Sequence, residues 1–86
     1  MSRHDLQPFD LTHDVVVGWD PPMHTFFAQV LDTKTDEADD NYEVVWIGTS
    51  YGEVLDPAAV IAAVRPFATI PDDLCRTLRD DRMTQA

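Results

Sequence analysis

Three stretches in the first half of the chain carry the composition of β-strands. Residues 14–19 read Asp-Val-Val-Val-Gly-Trp, residues 25–31 read Thr-Phe-Phe-Ala-Gln-Val-Leu, and residues 42–47 read Tyr-Glu-Val-Val-Trp-Ile. β-Branched and aromatic side chains suit a pleated, half-buried surface, and turn signals bound each stretch. The first ends at Asp20-Pro21-Pro22, where two prolines remove two amide donors and fix φ, so the chain must turn. The third ends at Gly48. Residues 32–41 lie between the second and third stretches and hold no large apolar side chain. They predict an exposed, mobile hairpin loop.

The pattern changes after Gly52. Asp56-Pro57 is a helix start, an N-cap acceptor followed by proline at the first helical position. Val60, Ile61 and Val64 recur at helical spacing, and Pro66 stops this helix near Arg65. A second start is expected at Pro71, with Asp72 and Asp73 in the first turn facing the positive end of the helix dipole. Ile70, Leu74 and Leu78 form its apolar stripe. The expected order is β-β-β-α-α: an α+β domain in which a three-stranded antiparallel meander is covered on one face by two C-terminal helices. Residues 1–12 show no period and predict a loosely ordered N-terminal arm. Residues 13–83 form the single α+β domain, and residues 84–86 a frayed tail.

Strand alternation divides the apolar residues between two faces. Val15, Val17 and Trp19, Phe26, Ala28 and Val30, and Tyr42, Val44 and Trp46 are assigned to the helix-covered core. The other face then carries Val16, Phe27, Gln29, Leu31, Val45 and Ile47. Two short helices cannot cover both faces, and an apolar patch of this extent marks an interface. A homodimer is the simplest expected solution, with a different protein partner as the alternative. A third possibility is that Leu6, Phe9 and Leu11 of the arm fold back over the patch. A one-residue slip in register would exchange the two sets.

Charge sharpens the expectation of a protein partner. The 86 residues carry 16 acidic and 6 basic side chains, a formal net charge of −10. Direct capture of nucleic acid or of an anionic membrane needs a basic patch, so neither is expected. Thirteen of the acids are aspartates, and Asp36, Glu37, Asp39 and Asp40 form a candidate acidic surface for a basic partner. An acidic surface that imitates nucleic-acid phosphates, and so inhibits a DNA- or RNA-binding protein, is the alternative function. Genomic bias towards Asp and Arg, or adaptation to salt, would produce the same composition without any partner. Cys75 is the one cysteine, so no intramolecular disulfide forms. The first ten residues hold no apolar signal segment, and the longest apolar run, Ala58 to Val64, is seven residues. A cytoplasmic protein is expected.

No residue set makes a convincing catalytic or metal site. Gly48-Thr49-Ser50-Tyr51-Gly52 fits the G-x-S-x-G nucleophile turn and follows a strand, but that turn must lead directly into a helix. Here the helix signal comes six residues after the serine, and no histidine follows His24. His4, His13 and His24 lack metal-ligand spacing, and no cysteine pair supports zinc. Residues 36–41 lack the central glycine of a calcium loop. Cys75 has no neighbouring base and reads as a packing residue. No cofactor is expected. The sequence therefore predicts a non-enzymatic interaction or regulatory module. A small ligand-binding or enzyme subunit would require Trp19, Trp46, Tyr51 and a carboxylate in one pocket.

Overall fold

The computed structural model describes residues 2–36, 39 and 42–85. Four strands, β1 (His4–Leu6), β2 (His13–Asp20), β3 (Thr25–Asp32) and β4 (Glu43–Ile47), precede two helices, α1 (Pro57–Val64) and α2 (Leu74–Gln85). The strands form one antiparallel sheet in the order β1-β2-β3-β4. The α+β class and the two C-terminal helices match the sequence pattern, but the meander has four strands where three were expected.

The additional strand comes from residues assigned to the arm. Leu6 pairs with Val15 and enters the core, and Ser2 exchanges two hydrogen bonds with Trp19: its N–H donates to the Trp19 carbonyl at 3.0 Å and its hydroxyl accepts from the Trp19 N–H at 2.9 Å. Beyond β1 the chain pairs with the α1–α2 connection, where Phe9 N–H donates to the Phe67 carbonyl at 2.9 Å and Thr69 N–H to Gln7 at 3.0 Å. A three-residue strand with one apolar side chain shows no alternation in the sequence. It forms because tertiary pairing satisfies its backbone.

Two cross-strand rows face the helices: Leu6, Val15, Val30 and Val45, and then His4, Val17, Ala28 and Ile47. With Trp19 and Phe26 they meet Val60, Ile61 and Val64 of α1 and Leu74 and Leu78 of α2. α1 begins as expected, with the Asp56 carboxylate accepting from Ala58 N–H at 2.9 Å and Pro57 at the first position. α2 begins three residues later than expected. Asp72 and Asp73 occupy a turn in which Leu74 N–H donates to the Pro71 carbonyl at 3.1 Å. Proline and aspartate favour such a turn as strongly as a first helical turn. Among the described residues, no helix is long and apolar enough to cross a membrane.

Candidate functional site

The helices leave one face of the sheet open. Partners in antiparallel pairing share a face, so Asp5, Val16, Gln29 and Trp46 make one row across all four strands. Gly18 and Phe27 lie in the next row. A Cβ at Gly18 would stand 2.8 Å from Phe27 Cε1 and closer still to the Ser2 carbonyl. Glycine thus lets the aromatic ring lie down on the sheet. Met23, from the β2–β3 turn, completes a groove of 420 Å³ with Phe27, Gln29, Trp46 and Thr49. Arg3 and Asp20 also line it, and Arg3 Nε is 3.8 Å from Asp5.

Half of the Trp46 surface (51%) and 42% of the Val44 surface remain exposed. Phe27, Gln29 and Leu31 are half-buried on the face where the sequence placed them. Val16 lies on that face too, but it is only 2% exposed and presents no contact area. Val45 and Ile47 are corrections. They pair with Val30 and Ala28 and pack against the core, whereas Val44 and Trp46, expected inside, are outside. The cause is a bulge: Val30 pairs with Val45 but Leu31 with Glu43, so Val44 is the extra residue. Both faces of residues 44–47 are apolar, so their alternation alone does not distinguish the covered pair from the open one.

Ser2 and Arg3 border the open face, but the apolar residues of the arm do not fold over it. Leu6 turns into the core, while Phe9 is 67% exposed and is tied by its backbone to Phe67. Trp19 and Trp46 lie on opposite sides of the sheet, so the shared tryptophan pocket required for a ligand-binding subunit does not form. Of the acidic quartet, Asp36 and Asp39 are exposed, and Glu37 and Asp40 lie outside the described residues.

The G-x-S-x-G segment is a turn closed on its own chain. The amides of Gly48, Thr49 and Ser50 donate to the Glu53 carboxylate at 2.9, 3.3 and 3.2 Å. These donors, the Gly48 amide first, hold the Glu53 carboxyl below the usual carboxylate range. A nucleophile turn would leave such amides open for a developing oxyanion; here they already hold an anion. The three histidines are dispersed. His4 meets Asp81 at 2.6 Å, His13 packs edge-on against Phe67, and His24 stacks on Tyr51 at 6.1 Å. Cys75 is half-buried against the core.

Arg3, Met23, Val44 and Trp46 were not among the expected surface residues. The visible signal was a strand apolar on both sides, of which the helices can cover one, so that either Val44 and Trp46 or Val45 and Ile47 had to stay open. Compared with family models, curated protein sequences and solved structures, the chain matches none.

Proposed function

We propose that the protein is a non-enzymatic interaction module that docks a basic segment of another protein across the open face of its sheet. The observation that carries this reading is Trp46, half exposed beside Phe27 and Met23 in a groove on a face that no described element covers. Rigid aromatic and methionine side chains are the residue types that anchor protein interfaces.

Charge selects the partner. Asp5 lies on the open face and Asp20 lines the groove, with Arg3 as the neighbouring cation. The whole chain carries −10. Two copies stacked through this face would bring like-charged rims together, which costs affinity, whereas lysines and arginines flanking an apolar anchor would complement the rim. A nucleic-acid mimic would need the same basic partner, but the aromatic floor favours recognition of an apolar side chain. The binding of the Gly48–Ser50 amides to Glu53 supports the non-enzymatic reading.

Sedimentation equilibrium of the purified chain at about 100 µM, a concentration that populates weak interfaces, separates a second copy from a foreign partner. A monomer is expected. A dimer that dissociates on Trp46→Ser would make the second copy the occupant and overturn the basic partner.

A further inference from the structure

A second concave surface lies on the helical side, between the start of α1 and the C-terminal half of α2. Phe26 of β3, Leu55, Pro57 and Met83 give this 530 Å³ cleft its apolar lining. Arg79 and Arg82, three residues apart on one side of α2, also line it. The chain has six cationic side chains among sixteen acids, yet two of the six line this one cleft. Among the described residues, no carboxylate lies within 4.0 Å of either guanidinium.

Arg82 is held in place before any ligand arrives. One of its terminal nitrogens donates to the Leu55 carbonyl at 3.0 Å, and its guanidinium carbon sits 5.4 Å from the centre of the Trp19 ring. A guanidinium has five N–H donors, so this bond leaves the fork able to take up an oxyanion. The Asp56 carboxylate also lines the cleft, but it is engaged with the Ala58 amide as the α1 cap. Two cations and one anion give the lining a formal charge of +1. That balance suits a monoanion, and the strongly negative chain around it disfavours phosphates and other polyanions.

We propose that this cleft is a binding site for a free monocarboxylic acid with an apolar tail. The carboxylate is received by Arg79 and Arg82, and the tail lies along Leu55, Pro57 and Met83. Planar guanidinium groups match carboxylates through paired hydrogen bonds, and the exposed Leu55 and Met83 side chains lose water contact only when a tail covers them. The site lies on the face of the sheet opposite the Trp46 groove and stands independently of it.

The test titrates the ¹⁵N-labelled full chain with octanoate, with acetate (carboxylate without tail), with octanol (tail without carboxylate) and with acetyl-Leu-Leu bearing a free C-terminal carboxylate. Saturable shifts at Leu55, Arg79 and Arg82 are expected for octanoate, with acetate, octanol and the dipeptide each about tenfold weaker. Arg79→Gln, an exposed position, should weaken octanoate about tenfold while leaving the spectrum of the free protein dispersed and unchanged elsewhere. Octanol binding as tightly as octanoate, shifts that do not saturate, or an Arg79→Gln variant that binds normally would overturn the site. Tighter binding of the dipeptide would overturn the free acid as its ligand.

Discussion

The His4 imidazole nitrogen Nε2 lies 2.6 Å from a carboxylate oxygen of Asp81, joining the outermost strand to the last helix across 77 positions of sequence. Both side chains are partly shielded. β1 contributes only three residues, so this bond and Leu6 are its principal attachments to the helical layer. His4→Ala should destabilise the fold by about 1 kcal/mol, the net worth of one such hydrogen bond. Chemical denaturation of His4→Ala, Asp81→Ala and the double variant checks this. The double variant should lose less than the sum of the singles, because the two residues share one interaction.

Gly48 and Gly52 both have positive φ, at 81° and 64°, but their surroundings differ. A Cβ at Gly48 would strike the Phe26 carbonyl and the Phe27 Cα, which are backbone and cannot move aside; at Gly52 it would meet open space. Gly48→Ala should therefore cost more than the ~1–2 kcal/mol of a left-handed alanine alone, and Gly52→Ala about that amount. Thermal unfolding of the two variants side by side should give the larger loss at position 48.

Ser50 is exposed, and it is its amide that holds Glu53. Ser50→Ala should change stability by no more than ~0.5 kcal/mol, and a fluorophosphonate probe should not label the wild-type serine. Labelling would revive a catalytic reading of the turn.

The Glu53 carboxyl is held below its ordinary 4.5 by the amides that surround it, that of Gly48 first. A carboxyl depressed on folding contributes stability that is fully present above its unfolded value and is lost as pH falls through the folded value. Wild type should therefore lose part of its advantage over Glu53→Gln as pH drops from 7 to below 4. Parallel unfolding curves of the two proteins across that range check the sign. A constant difference would mean that the charge on Glu53 contributes nothing.

What the sequence made legible was local. Asp56-Pro57 marked the start of α1 because a cap and a proline act within one turn, and the paired prolines marked the β2–β3 turn for the same reason. β1 was hidden because its stability comes from partners far away, Val15 to Val17 and Asp81. The face of β4 was hidden for a different reason. Val44 and Trp46 are as apolar as Val45 and Ile47, and one extra residue at the bulge fixes which pair is covered. For the candidate surface, Phe27, Gln29 and Leu31 were assigned to the open face by strand alternation alone. Trp46, its most exposed aromatic, was assigned to the wrong face by that single slip.

If the open face meets a basic protein partner, a photo-crosslink reads that contact in the native cell. Val44→benzoylphenylalanine places the probe on the exposed side of β4, and Ala62→benzoylphenylalanine places a control on the exposed side of α1. Illumination should join position 44, and not position 62, to one protein with lysines or arginines beside the crosslinked residue. Crosslinks from position 44 to a second copy of this chain, or equal yields from both positions, would contradict this expectation.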